Sequence, residues 1–308
     1  MKFFAFLVAL FLSTGSLAIE PIPSKIKLDL EKVRLGERLF HDTQLSGDGT
    51  ISCATCHALD KGGTDRAMVS TGINGQKGPI NSPTVYNSAN NFVQFWDGRA
   101  KDLEEQALGP VENPKEMGES WENVVKKIKA DGSYTRAFEK LYGGDVTKEN
   151  IANAIAEFER SLITPDSAFD RYLKGDKSAL SPLEVKGYAL FEEKGCTSCH
   201  SGDYFGGDSY QQMPEEYFRD RGGLNEADFG RYNVTKDEDD RYFFKVPMLR
   251  NVAVTAPYFH DGNAKTLKEA VDIMAKYQLG ITLTNSENKA IVEFLKSLTG
   301  QYKGEKLR

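Results

Sequence analysis

One block of this 308-residue chain occurs twice. Pro83, Val85, Asn87, Phe95, Asp97, Gly98, Ala100 and Leu103 match Pro247, Leu249, Asn251, Phe259, Asp261, Gly262, Ala264 and Leu267, each pair at an offset of 164. Self-similarity at a fixed offset marks one supersecondary unit used twice. Ahead of each block stands a Cys-x-x-Cys-His motif, Cys53 to His57 and Cys196 to His200, and ahead of each motif a Gly-x-x-x-Phe pair, Gly36/Phe40 and Gly187/Phe191. The two motifs use all 4 cysteines and two of the 4 histidines.

Two thiols three residues apart reach the two vinyl groups on one edge of a haem, and the adjacent histidine supplies the proximal iron ligand. A bare Cys-x-x-Cys fits a redox dithiol or half a zinc site. The histidine after both copies favours two covalently bound haems c, with Cys53, Cys56, Cys196 and Cys199 as attachment points and His57 and His200 as ligands. The expected fold is mostly α: two cytochrome c-like haem domains related by internal duplication, with long loops. Their boundary falls near Thr164-Pro165, giving an N-terminal domain over 19–164 and a C-terminal one over 165–308.

Helix signals support that class. Thr147 can cap a helix carrying Ile151, Ile155, Phe158 and Leu162 on one face, and Ser181-Pro182-Leu183-Glu184 is a capping box with proline in its first turn. Thr266 with Glu269, and Thr284 with Glu287, repeat the box. The stretch between His200 and Pro247 is 21 residues longer than that between His57 and Pro83. Its extra part, about Ser201 to Arg241, is polar and charged and reads as a surface excursion.

Met1 to Ala18 combines Lys2, an apolar run from Phe3 to Leu12 and small residues, the pattern of a cleaved signal peptide. Haem is joined to such motifs outside the cytoplasm, so the expected location is the periplasm. No later segment is long and apolar enough to span a bilayer. A net charge of −6 argues against nucleic acid as a partner. It suits attraction of a basic redox protein or simple solubility.

The two halves need not do the same work, because the group on the far side of each iron separates electron transfer from ligand chemistry. Met274 follows Leu267 and Val271 on one helical face and is either a sixth ligand closing the second haem or ordinary packing. Its counterpart in the first half is Pro110, which cannot ligate. The first half instead has Gln106 and Glu116, opposite Ala270 and Gly280. A carboxylate beside an open haem can move the proton that peroxide cleavage requires, and an amide can orient the substrate; a solvated Glu116 is the plain alternative. Trp96 aligns with His260, each after a Phe and before Asp-Gly. An indole between two redox centres is an electron relay or a buried aromatic, and His260 reads as a hydrogen-bonded structural histidine.

Leu45-Ser46-Gly47-x-Gly49-Thr50-Ile51-Ser52-Cys53, Asn81-Ser82-Pro83-Thr84-Val85, Phe95-Trp96-Asp97-Gly98-Arg99-Ala100 and Val246-Pro247-x-Leu249-Arg250-Asn251 through Tyr258-Phe259-His260-Asp261-Gly262 closely resemble the bacterial dihaem cytochrome c peroxidase family. The resemblance implies reduction of hydrogen peroxide to water, with the N-terminal haem peroxidatic and the C-terminal haem receiving electrons from a small cytochrome c or copper protein. It implies Met274 as distal ligand of the second haem, Trp96 between the haems, and Gln106 and Glu116 as the distal catalytic pair. It also implies a calcium ion held at Asn81, Thr255 and Pro257, and a homodimer. One position departs: many members carry a distal histidine in the loop after the first motif, and here the aligned residue is Ile73. Met68 is nearby as a weak substitute, and His41 and His260 are not obvious ones. Two other readings remain: a dihaem electron carrier, and the related class that oxidises a protein substrate and places a tyrosine where Met274 stands.

Overall fold

The computed structural model describes residues 19–308; the expected signal peptide, residues 1–18, lies outside them. The described chain is mostly helical. The first half contains α1 (Leu30–Phe40), the short motif helix α2 (Cys53–Cys56), α3 (Leu103–Glu112), α4 (Trp121–Ala130), α5 (Gly132–Tyr142) and α6 (Lys148–Arg160). The second contains α7 (Ala168–Leu173), α8 (Pro182–Glu193), α9 (Glu215–Asp220), α10 (Tyr232–Thr235), α11 (Leu267–Gln278) and α12 (Asn285–Ser297). The strands are short: β1 (Tyr210–Gln212) pairs antiparallel with β2 (Phe243–Lys245), and β3 (Gln301–Tyr302) with β4 (Glu305–Lys306).

The duplication is built on one helix crossing made twice. In α1, Gly36 lies so close to α6 that a Cβ there would stand 1.8 Å from the Ala154 carbonyl oxygen; in α8, one on Gly187 would stand 1.9 Å from that of Ala290 in α12. Only glycine admits such an approach. Phe40 then meets Phe158 at 5.1 Å between ring centroids, and Phe191 meets Phe294 at 5.4 Å. These edge-on aromatic contacts anchor each core. The expected caps start the helices: Ser181 and Thr284 form complete capping boxes. Thr266 caps α11, but Glu269 reaches back to the Lys265 N–H rather than to that of its cap. Ile151, Ile155 and Phe158 form the buried face of α6, while Leu162 is buried just beyond the helix end at Arg160.

The repeated block folds the same way in both copies. Asn87 and Asn251 both take left-handed backbone (φ 61° and 68°), as do Phe95 and Phe259 (67° and 70°). Around the junction, Thr164 Oγ1 accepts from the side-chain amides of Asn87 and Asn251, each at 2.8 Å. Thr164 is 1 % exposed, so the halves meet through a buried polar knot rather than a surface linker.

Two expectations change. The tails cross over: Ile19 packs on the core of the second half, and the Ile22 N–H donates to Asp170 at 3.1 Å. Leu307 is buried in the core of the first half, with Tyr302 against Tyr86. Division at residue 164 therefore omits an exchange at both ends. The stretch from Ser201 to Arg241 is also not a surface excursion. Met213, Tyr217 and Phe218 are buried with Phe244, against Trp96, Phe259 and Met274. Its charges look solvated in sequence, but Arg221 bridges Asp228 and Asp261, and Asp228 is fully buried. Pairing these charges with one another inside the protein lets this segment form a packed layer.

Candidate functional site

The motifs present desolvated thiols beside buried imidazoles. Burial raises the Cys56 and Cys196 thiols to about 11 and Cys53 further, the charges of Glu159 and Glu116 adding to the effect at Cys53. A redox dithiol needs a lowered thiol pKa, so these are poor nucleophiles. Burial also lowers the pKa of both motif histidines, His57 and His200, favouring the neutral imidazole that an iron ligand must be. His200 Nδ1 lies 3.1 Å from the Phe205 carbonyl, which fixes the ring and leaves Nε2 free for metal. His57 Nδ1 is buried with no hydrogen-bond partner of good geometry, although the carbonyls of Gly63 and Pro83 face it. Such an orphaned imidazole suits a ring held by a metal on its other nitrogen.

In the second half Cys196, Cys199, His200 and Met274 line one cavity. Its wall is apolar, with Phe191, Leu249, Leu267, Val271, Ile291 and Leu295. This explains α11, where only Ala270 and Ala275 are buried: Leu267, Val271 and Met274 pack at the edges of neighbouring cores and also line the cavity, so they stay half-exposed. No Asp or Glu lines the cavity, whereas Lys194 and Lys245 do. An apolar slot with two thiols, an imidazole, a thioether and unmatched positive charge fits a haem with its two carboxylates.

In the first half, Glu116 follows α3 and accepts from Asn113 Nδ2 at 2.6 Å. Burial raises its pKa; Arg99 and the Asn113 amide pull the other way. Its charge reaches both Cys53 and Cys56. Gln106 is half-buried on α3, one turn before Pro110, which has no N–H to give the Gln106 carbonyl. Ile73 belongs to the loop that seals this corner. Its N–H donates to the Glu116 carbonyl at 2.8 Å, its side chain fills the space beside Gly118, and it is 8 % exposed. Neither the weak substitute Met68 nor His41 is placed as a distal ligand. Met68 is 51 % exposed, and His41 is an exposed cap of α1 bonded to the Glu37 carbonyl.

Trp96 lies between the halves and on the wall of the second cavity. Its indole N–H donates to the Asn81 carbonyl at 2.9 Å, and its ring meets His260 edge-on at 6.3 Å. His260 is stacked on Phe244 and bonded through Nε2 to Asp228 at 2.8 Å, a structural role. Asn81, Thr255 and Pro257 line the same cavity. The Asn81 side-chain N–H donates to the Ala67 carbonyl, which leaves Oδ1 as a ligand atom.

Two site residues were missed in sequence. Lys245 is buried in the cavity wall, and Glu159, on α6, is 5 % exposed with its pKa raised by burial to about 8. Both were readable from the repeat. Lys245 aligns with Asn81 at the offset of 164. Ala154 and Phe158 match Ala290 and Phe294 at an offset of 136, which pairs Glu159 with the cavity residue Leu295.

The sequence profile of the di-haem cytochrome c peroxidase family matches residues 30–178, and that of cytochrome c matches residues 184–299. Cytochrome c551 peroxidase of Nitrosomonas europaea is 48% identical, over 97% of this chain and 90% of its own length. Cytochrome c peroxidase Ccp of Escherichia coli is 49% identical over 92% of this chain, which spans 61% of that longer protein. Among solved structures, a MauG-like protein associated with microbial copper homeostasis superposes with a TM-score of 0.80 at 29% identity, covering 96% of both chains.

Proposed function

Because the chain belongs to the di-haem cytochrome c peroxidase family, we propose that it reduces hydrogen peroxide to water with electrons from a small redox protein, and does so with unequal halves. Cys53, Cys56 and His57 would hold the peroxidatic haem; Cys196, Cys199 and His200 would hold the electron-transfer haem, with Met274 as a further ligand to its iron. The haems supply the iron that binds peroxide in the first half and the iron that stores an electron in the second. The chain's own residues do the rest.

The observation that carries this reading is Glu116, a half-buried carboxyl within electrostatic reach of both thiols of the first motif and held by Asn113. Its raised pKa suits a group that takes a proton from peroxide and returns it to the departing oxygen as water forms. Gln106 orients the substrate through its amide. Trp96, fixed by Asn81 and wedged against His260, gives a rigid aromatic link between the haems. A hard cation is proposed at Asn81 Oδ1 and the carbonyls of Thr255 and Pro257, neutral oxygens of the kind calcium takes. Met1 to Ala18 and the haem chemistry support export to the periplasm. Among the described residues no helix is long and apolar enough to cross a membrane.

The test is steady-state peroxide turnover by the holoenzyme with a reduced cytochrome c. Glu116→Gln is expected to lower kcat by about 10²-fold or more. Because the carboxylate is the working form and its pKa is raised, wild-type activity falls with decreasing pH at a higher pH than an exposed glutamate would give, and the variant loses that limb. Full activity in the variant would remove Glu116 from the reaction and favour a plain electron carrier.

With Ile73 at the aligned loop position and His41 and His260 engaged elsewhere, no imidazole is on hand to block the first haem. Peroxide or cyanide is therefore expected to perturb the spectrum of the fully oxidised protein without prior reduction. A low-spin first haem that ignores both ligands until reduced would contradict this.

A further inference from the structure

The halves are joined by reciprocal bonds. The Asn81 N–H donates to the His260 carbonyl at 2.7 Å, and the Lys245 N–H to the Trp96 carbonyl at 2.8 Å. Asn81 pairs with Lys245 and Trp96 with His260 at the same offset of 164, so a local two-fold relates the two bonds. It carries Thr255 onto Asn91 and Pro257 onto Val93. The mate of the cluster Asn81, Thr255 and Pro257 is thus Lys245, Asn91 and Val93. There Lys245 Nζ donates to Asn91 Oδ1 at 3.2 Å.

Lys245 is 7 % exposed, and no Asp or Glu of the described residues forms an ion pair with it. Burial alone pushes its ammonium down to about 8, with no anion offsetting the effect. An isolated buried charge is costly unless an anion pairs with it. The cavity it lines has no carboxylate of its own, and its other lysine, Lys194, is paired with Glu287 at 2.8 Å.

We propose that Lys245 is a tethered cation at the two-fold mate of the Asn81 position, where its ammonium pairs with a carboxylate of the haem held by Cys196 and Cys199 and stabilises that haem's reduced state. The first half leaves the equivalent place to an exchangeable hard cation; the second half supplies the charge from its own chain. Lys245 is a positioning residue, since it acts on the potential and orientation of the haem and touches no peroxide. This rests on the two-haem reading.

The test is a spectroelectrochemical titration of the holoproteins in calcium-free buffer. Removing a buried positive charge in Lys245→Met is expected to lower the ratio of reduced to oxidised second haem at a fixed potential by about tenfold, a fall of about 59 mV for one electron. Lys245→Arg keeps the charge and the ratio. Lys245→Asn recreates the residue found at the mate position; its ratio is low without calcium and recovers on adding millimolar calcium, whereas that of Lys245→Met does not. A Lys245→Met potential equal to that of wild type, or a Lys245→Asn potential blind to calcium, would overturn the proposal. Wild-type protein carrying one haem instead of two, counted by its haemochrome spectrum, would overturn the two-haem reading separately.

Discussion

Both halves make the same helix crossing, with a glycine against a carbonyl and a phenylalanine against a phenylalanine, yet they fill the space around it with opposite chemistry. Facing the second motif are Met274, Leu295 and Lys245; at the corresponding places the first half has Pro110, Glu159 and Asn81. The second half is an apolar slot with a built-in positive charge at Lys245, which suits the electron-transfer role proposed for it. The first has a half-buried acid at Glu116 and a buried one at Glu159, both with raised pKa, which suits the proton-handling role proposed for it. The scaffold is therefore held by close backbone approach at Gly36 and Gly187, while the side chains around the motifs differ between the halves.

The same contrast governs how each half is pinned. In the second, Arg250 is fully buried, bonded to Asp170 at 2.9 Å, to Ser167 and to the Asp203 carbonyl, and flanked by Phe169 and Phe205. Its counterpart in the first half is Tyr86, whose hydroxyl donates to the Leu59 carbonyl at 3.0 Å. Arg250→Met leaves the Asp170 carboxylate buried without its cation and is expected to destabilise the holoprotein by about 3–5 kcal/mol. Tyr86→Phe removes one neutral hydrogen bond and is expected to cost about 1 kcal/mol. Denaturant midpoints of both variants check the asymmetry. Equal losses would mean that the ion pair contributes no more than the hydroxyl, and the two halves would then be pinned alike.

Much of this was legible because duplication turns a sequence into its own control. The caps at Ser181 and Thr284, the haem motifs and the assignment of Met274 to the second cavity follow from spacing, since helix periodicity and motif geometry are local. The segment from Ser201 to Arg241 misled because hydrophilicity was read as exposure. Arg221 pairs with both Asp228 and Asp261, and no local pattern announces a partner 40 residues away. The exchanged tails were hidden for the same reason: Ile19 and Leu307 pack on cores distant in sequence, and two tails have no counterpart within the repeat to betray them.

Glu159 gives a sharper way to separate the halves. It is 5 % exposed on α6, beside Cys53, and faces the charges of Arg160 and Glu104, of which Arg160 is spent on Glu104 at 2.7 Å. Burial raises its folded-state pKa to about 8, above that of the unfolded chain. The folded protein therefore holds a proton that the unfolded chain releases, so the stability this group permits is full below its ordinary pKa and declines as pH rises toward 8. Replacing it by the residue of the other half, Glu159→Leu, should remove that decline. The variant is expected to match wild type near pH 5 and to exceed it by on the order of 2–3 kcal/mol near pH 8, in denaturant titrations of the holoproteins. A difference that stays constant across this range would show that Glu159 is ionised throughout, and would leave Glu116 as the one acid in the first half whose burial departs from the apolar pattern of the second.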